Sequence, residues 1–228
     1  MYIIVDARLP EQASKALRRY GKLLPLLTKQ CTYDSISGHP DLFFCPTPTS
    51  LVCAPNTPEE LYTTLIKAGI ESVKGSLPVS PKYPGSAAYN AFTNHSFFIH
   101  NTRYSDPLLL AHCDTLQAIH VNQGYTRCNL TEAGGLYMTS DKGMERILRK
   151  NGLDVFFIKP DTIRLPGERH GFFGGCTGHW QNNLFLTGSC DYFPEGSELK
   201  TELTRRGIEV IELYNGPLFD AGSILCLG

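Results

Sequence analysis

Short apolar runs and helix-like stretches follow one another along the whole chain in a single repeated order. Each unit starts with an apolar strand, continues through a polar turn into a helix with an apolar face, and ends in a second strand. A glycine follows four of the five helices, as expected for left-handed helix stops. The pattern predicts five strand–helix–strand units over residues 2–27, 50–74, 96–121, 136–158 and 184–211.

The length of the repeat indicates the architecture. Between Gly21 and Gly207, which end the first and last helices, the four steps average about 46 residues, a period typical of arrays and propellers. Neither terminal unit has the polar face of a solenoid cap. We therefore predict an α/β fold in one domain over residues 1–228, a five-bladed pseudo-fivefold α/β propeller. Pairing of the first and last strands would close the ring and remove a free sheet edge.

A third segment, rich in glycine and in small and polar residues, follows each unit. These segments are residues 38–44, 85–92, 124–130, 170–176 and 219–226. Because glycine lets backbones approach closely, we expect five inner strands around a central channel. The channel should hold a small polar molecule, and the residues predicted to bind it are Arg127, Asn90, Asn129, Asp220 and Cys176.

Composition narrows the class of protein. Hydrophobic residues make up 42% and charged residues 19%, and the apolar runs are too short to cross a bilayer. The first residues read as a strand rather than a signal peptide, which predicts a cytoplasmic protein with no membrane partner. With 21 basic and 22 acidic residues and no basic stripe, nucleic acid is not an expected partner. The loop around Trp180 is compatible with a homodimer contact.

The eight cysteines are spread over predicted strands, which favours buried free thiols over disulfides. A zinc site needs spaced ligands, but the chain has no Cys-x-x-Cys pair, and His112, Cys113 and Asp114 are adjacent. The sequence alone therefore predicts neither a metal nor a cofactor.

The fivefold array resembles the pentein superfamily, α/β propellers that include arginine and agmatine deiminases, amidinotransferases and dimethylarginine hydrolases. One local match supports it, because residues 222–227, Gly-Ser-Ile-Leu-Cys-Leu, look like the Gly-Gly-x-x-His-Cys-x-Thr segment of the deiminase branch. The resemblance implies that Cys226 is a nucleophile attacking a guanidinium carbon, with a histidine moving protons and carboxylates binding the cation.

The chain also departs from the deiminase pattern. Leu225 and Gly228 stand where those enzymes have His and Thr, and the segment expected to carry the catalytic histidine reads Thr126-Arg127-Cys128. The alternatives on the inner segments are His170, or His39 together with Asp41. Cys226 could equally be one more buried thiol, and the superfamily includes a non-enzymatic ribosome anti-association factor of the translation initiation factor six type. A cysteine-dependent hydrolase or transferase and a silent binding propeller both remain open.

Overall fold

The computed structural model describes all residues, 1–228, and arranges them as five three-stranded sheets. The middle strands are β1 (Tyr2–Asp6), β4 (Leu51–Cys53), β7 (Phe97–His100), β10 (Leu136–Thr139) and β13 (Asn183–Leu186). Each pairs in parallel with an outer strand: β2 (Lys22–Leu26), β5 (Ser72–Lys74), β8 (Gln117–His120), β11 (Asp154–Phe157) or β14 (Glu209–Glu212). Each also pairs antiparallel with an inner strand: β15 (Leu225–Leu227), β3 (Phe44–Pro46), β6 (Phe92–Thr93), β9 (Leu130–Ala133) or β12 (Thr177–Trp180).

One helix connects the middle and outer strands of each sheet. These helices are α1 (Glu11–Leu17), α2 (Glu59–Lys67), α3 (Pro107–His112), α5 (Lys142–Lys150) and α6 (Gly196–Arg205). The five predicted units and their order are confirmed, and the fold is the predicted five-bladed α/β propeller. In the following we call each sheet with its helix a blade. Helix α3 ends at His112, before the predicted residue 115. Asp106 caps its start, but no glycine stop follows its end.

Three of the four predicted helix stops are left-handed glycines. Gly69, Gly152 and Gly207 have φ angles of 76°, 79° and 77°, which only glycine adopts without strain. Gly21 differs, because its φ is not positive and a Cβ there would lie 2.5 Å from the carbonyl oxygen of Met1. This glycine is required by a close approach of two backbone segments rather than by a left-handed turn.

The inner segments differ in part from the strands that the sequence predicted. Three of the segments contain helical turns, at Pro40–Leu42, α4 (Thr126–Asn129) and Gly174–Cys176, and their inner strands begin only after these turns. In α4, Thr126 and Asn129 donate to the carbonyl oxygens of Gln123 and Tyr125, and such local hydrogen bonds compete with extended pairing. The inner strands still meet around a common centre, since β12 contacts β9 and β15, and β3 contacts β6.

The two ends of the chain close the ring. β1 pairs with β15 with Tyr2 opposite Leu227, Ile3 opposite Cys226 and Ile4 opposite Leu225, which confirms the predicted closure. Ile3 is fully buried and packs in one apolar cluster with Phe185 of the last blade and with Ile224, which directly precedes β15. None of the helices is both long enough and apolar enough to span a membrane.

The closure can be tested at Ile3. We expect Ile3→Ala to lower the free energy of unfolding by about 2–5 kcal/mol, because the change leaves a cavity where the first and last strands meet. Ile66→Ala, at a side chain that is 48% exposed, is the matched control and should change it by less than about 0.5 kcal/mol. Urea denaturation monitored by circular dichroism measures both. If both substitutions change the free energy of unfolding by the same small amount, the closing strands do not contribute to stability.

Candidate functional site

The inner segments bring a group of buried polar side chains to the centre of the propeller. The group comprises His39 (1% exposed), Asp41 (3%), Asn90 (0%), Cys128 (4%) and Asp220 (1%). These residues come from four different inner segments. Because unpaired buried polar groups are costly, the hydrogen bonds of each one show how the site is built.

Asn90 connects three of these segments. Its amide oxygen accepts a hydrogen bond from the backbone N–H of Cys128 at 3.1 Å. Its amide nitrogen donates to the carbonyl oxygen of Asp41 at 3.1 Å and to the Cys128 sulfur at 3.2 Å. The helical turn α4 is thereby fixed with the thiol of Cys128 beside Asp41.

Asp41 is a buried carboxylate with one oxygen satisfied and one free. Its Oδ2 accepts hydrogen bonds from Ser223 Oγ at 2.8 Å and from Cys128 Sγ at 3.1 Å. Its Oδ1 is buried without any hydrogen-bond partner. Burial raises the pKa of Asp41, and the hydrogen bonds from Cys128 and Ser223 only partly oppose this effect.

Asp220 is the second buried carboxylate of the group. Its Oδ2 accepts from the backbone N–H of Phe172 at 2.8 Å, and its Oδ1 accepts from that of Gly222 at 3.0 Å. Glycine is needed beside it, because a Cβ at Gly175 would overlap the carboxylate. Burial raises the pKa of Asp220, with the nearby His39 opposing the shift.

His39 and Cys128 provide the imidazole and the thiol. Neither ring nitrogen of His39 has a hydrogen-bond partner, and its Nε2 lies 4.0 Å from Asp220 Oδ1. Burial lowers the pKa of His39, so the ring is neutral near pH 7. Burial and the negative charges of Asp41 and Asp220 raise the pKa of the Cys128 thiol well above its usual range. One donor atom each of His39, Asp41 and Cys128 lies within 4.8 Å of the others.

A cavity of about 400 Å³ opens onto this group. His39, Cys128 and Asp220 form its polar floor, and Tyr33, Arg169 and His170 are among its other lining residues. We call it the His39 cavity. Its dimensions suit a small molecule, and its buried carboxylate, Asp220, suits a cation.

A second cavity, of about 660 Å³, is lined by residues of the five inner strands and of the loops beside them. It contains Arg127, His179 and Cys226 and shares no lining residue with the His39 cavity. We call it the Arg127 cavity. Burial raises the pKa of Cys226 to about 12, although the positive charge of Arg127 opposes the shift. Buried polar groups such as Asp41 and Asn90 line neither cavity.

The structure thus separates the residues predicted from the sequence. His39, Asp41, Asn90 and Asp220 come together, and His170 lines the same cavity. Cys226 and Arg127 face the other cavity, so the structure does not bring Cys226 together with His39, Asp41 or His170.

Two further predicted residues, Asn129 and Cys176, are buried and line neither large cavity. Asn129 donates to the carbonyl oxygen of Tyr125 at 3.0 Å and accepts from Ser140 Oγ at 3.3 Å. Cys176 donates to the carbonyl oxygen of Phe172 at 3.4 Å. The sequence analysis missed Cys128, although its place in a polar inner segment beside Arg127 was a usable signal.

The charge state of Asp41 can be tested by its effect on stability. A raised pKa means that the folded chain holds a proton that the unfolded chain releases. Stability therefore falls as the pH rises from the ordinary aspartate range through the raised value. We expect Asp41→Asn to raise the free energy of unfolding relative to wild type, and to raise it more at pH 8 than at pH 4. Urea denaturation of both chelator-treated proteins at the two pH values measures this difference. Asp161→Asn, at an exposed aspartate, should give no such pH-dependent difference. If the difference in the free energy of unfolding between Asp41→Asn and wild type is the same at pH 4 and pH 8, the pKa of Asp41 is not raised.

Comparison with known proteins supports the fold and gives no activity directly. No curated protein matches the chain in sequence. A DDAH from Pseudomonas aeruginosa in complex with citrulline has a similar structure, with a TM-score of 0.56, 8% identity, and coverage of 92% of this chain and 91% of that one. The C. jejuni agmatine deiminase gives a TM-score of 0.55 at 11% identity, covering 95% and 90% of the two chains.

An amidinotransferase from the saxitoxin biosynthetic pathway of Microseira wollei gives a TM-score of 0.54 at 11% identity, covering 92% of this chain and 87% of that one. All three are pentein propellers, and at these identities the likeness shows the fold alone. The sequence profile described as "Family of unknown function (DUF6873)" matches residues 4–225. The chain therefore belongs to the DUF6873 family and has the pentein fold.

Proposed function

We propose that this protein binds a small guanidinium or amidinium compound in the His39 cavity and acts on its C–N bond through the thiol of Cys128. The reaction class is that of a cysteine-dependent hydrolase or amidino transferase. One observation carries the proposal: the imidazole of His39 and the thiol of Cys128 line the cavity, and a donor atom of each lies within 4.8 Å of the other and of the buried carboxylate of Asp41. This combination can supply a nucleophile, a proton carrier and an anionic anchor for a cation.

The charges of the cavity floor support a cationic ligand. Asp41 and Asp220 are both buried, and neither has a lysine or arginine nitrogen within 4.0 Å. A planar cation between them would replace the missing counter-ion and could donate several hydrogen bonds at once. It would also reduce the negative potential that disfavours the Cys128 thiolate, so that the nucleophile would form mainly when the ligand is bound.

The compared structures support the reaction class by analogy only. They include an amidinotransferase, an agmatine deiminase, and a DDAH in complex with citrulline. Since one fold can host several chemistries, the argument for this chain rests on its own side chains.

The proposed steps balance without a redox partner. Cys128 loses its proton along the hydrogen bond to Asp41, and the sulfur attacks the guanidinium carbon. A C–N bond breaks, and the departing amine takes up that proton with His39 as the carrier. Water then adds to the same carbon, the C–S bond breaks, one proton of the water returns to the thiol, and the other protonates the released amine, which leaves as an ammonium ion. An acceptor amine in place of water would give amidino transfer.

Cys226, the nucleophile implied by the family resemblance, fits a cationic substrate less well. It lines the Arg127 cavity, where the guanidinium of Arg127 would repel a second cation. His179, which lines the same cavity, has a buried ring nitrogen with no partner, and burial lowers the pKa of His179. The same experiment can therefore compare the two thiols.

Alkylation with chloroacetamidine, a cationic reagent, tests the proposal against its neutral analogue chloroacetamide. We expect the ratio of the two rates at Cys128, each normalised to free cysteine, to exceed about 10, because the carboxylates attract the amidinium. Asp220→Asn should lower this ratio, and Asp161→Asn, at an exposed acid, should leave it unchanged. Mass spectrometry of peptides identifies the labelled cysteine. A ratio near 1, or preferential labelling of Cys226, would refute the assignment.

Turnover distinguishes an enzyme from a binding propeller. Release of ammonia or urea from a panel of small guanidines should fall by at least about 1,000-fold in Cys128→Ala, as expected when a nucleophile is removed. Cys190→Ala, at a cysteine packed under α6, is the control for loss of a buried thiol. Selective amidine labelling without turnover would favour the alternative, a non-enzymatic pentein that binds a cationic metabolite.

A further inference from the structure

Three donor atoms of different chemistry converge next to the His39 cavity, and two of the three residues, His39 and Cys128, line it. His39 offers an imidazole nitrogen, Asp41 a carboxylate oxygen and Cys128 a sulfur, all within 4.8 Å of one another and all buried. No sequence motif indicates this cluster, because Asp41 and Cys128 lie 87 positions apart on different inner segments.

The hydrogen bonds of the cluster are incomplete on the side where the donors meet. Both ring nitrogens of His39 and Asp41 Oδ1 are buried without a partner, which makes three of the eight such side-chain atoms in the chain. Buried polar atoms in native proteins are rarely left unpaired, so three together indicate a missing ligand. A ligand that accepts electron pairs from nitrogen, oxygen and sulfur at once is a metal ion.

We propose that His39, Asp41 and Cys128 form a binding site for one divalent ion of the zinc class. The donor set excludes Mg²⁺ and Ca²⁺ as preferred occupants, since both favour ligand shells made of oxygen alone. It suits zinc, which accepts thiolate, imidazole and carboxylate ligands in tetrahedral geometry. Three protein ligands leave a fourth position for water or a small molecule, as in catalytic zinc sites, and two of the ligands, His39 and Cys128, line the cavity.

The distances are compatible with tetrahedral coordination after small side-chain rotations. Ligand atoms around a tetrahedral zinc ion are separated by roughly 3.3–3.7 Å, given bond lengths of about 2.0–2.3 Å. In the structure Cys128 Sγ lies 3.1 Å from Asp41 Oδ2, the other oxygen of the carboxylate whose Oδ1 is free, and one donor atom of each of the three residues lies within 4.8 Å of the others. One thiolate and one carboxylate would also neutralise the charge of the ion, which reduces the cost of burying all three charges together.

Neighbouring side chains are placed to support the ligands. Ser223 Oγ donates to Asp41 Oδ2 and leaves Oδ1 free, and Asn90 Nδ2 donates to the sulfur of Cys128. Asp220 lies 4.0 Å from His39 Nε2, and backbone N–H groups hold both of its oxygens. Such outer partners orient ligands and raise metal affinity.

The inference needs only the three donor atoms and does not rest on the thiol chemistry proposed above. If both hold, metal and cationic ligand exclude each other, because the ion ties up Cys128 and neutralises Asp41. Zinc would then act as an inhibitor of the thiol reaction. Metal binding is measured without substrate, and amidine labelling is measured in the presence of a chelator, so that failure of one proposal leaves the other standing.

Cobalt titration of the reduced, chelator-treated protein tests the site, with Co²⁺ as the spectroscopic probe. We expect one ion per chain and a near-ultraviolet charge-transfer band from thiolate to cobalt. Zn²⁺ should displace the cobalt, and competition with a chromophoric chelator gives its affinity. Cys128→Ser should remove the band and weaken Zn²⁺ binding by at least about 100-fold, because the best ligand for the ion is lost. Asp220→Asn should weaken it by about 10-fold or more.

Cys226→Ser, in the Arg127 cavity, is the matched control and should keep both the band and the affinity. A second measurement does not depend on any variant folding: Zn²⁺ should protect Cys128 of the wild-type protein from iodoacetamide, as mapped by mass spectrometry. Absence of the band, a band that survives in folded Cys128→Ser, or alkylation of Cys128 unaffected by Zn²⁺ would overturn the proposal.

Discussion

The antiparallel pairing of β1 with β15 is the constraint on which the centre of this protein depends. It places the last inner segment beside the first, so that residues more than 180 positions apart share hydrogen bonds. The backbone N–H of Asp41 donates to the carbonyl oxygen of Gly222 at 3.1 Å, and Ser223 donates to the carboxylate of Asp41. Without the closed ring, Asp41 would lose its hydrogen bond from Ser223, and His39 would lose its neighbour Asp220.

The closed ring buries polar groups at the centre of the protein, where they lower its stability but are available for chemistry. Five inner segments bring their backbones to one axis, and the helical turns in them point polar side chains inwards. Two buried carboxylates with raised pKa values and an imidazole without partners are costly, because folding removes them from water. Groups that oppose folding in this way are typical of functional sites, where a ligand compensates for the charge that the protein leaves unbalanced. Both the proposed cation and the proposed metal ion would provide this compensation.

The sequence predicts the blades far better than it predicts the site, and the reason is physical. Strands and helices of each unit leave a local signal in apolar spacing, capping and glycine stops, as at Gly69 and Gly207. The inner segments carry no such period, so their helical turns were predicted as strands. The cluster of His39, Asp41 and Cys128 depends on the rotation of one blade relative to another. The residue pattern of a single segment cannot predict how the blades are rotated relative to one another.

The family resemblance implies Cys226 as the nucleophile. The structure shows why the position of a cysteine in the chain predicts its role less well than the charges around it. Cys128 and Cys226 both belong to inner segments, but they open into different cavities. The first thiol lies beside the carboxylates of Asp41 and Asp220 and the second lies near Arg127, so the two thiols have surroundings of opposite charge. Arg127 and Cys128 are neighbours in α4, so one short turn contributes a residue to each cavity. An equivalent position in the repeat therefore does not fix the charge that surrounds a thiol.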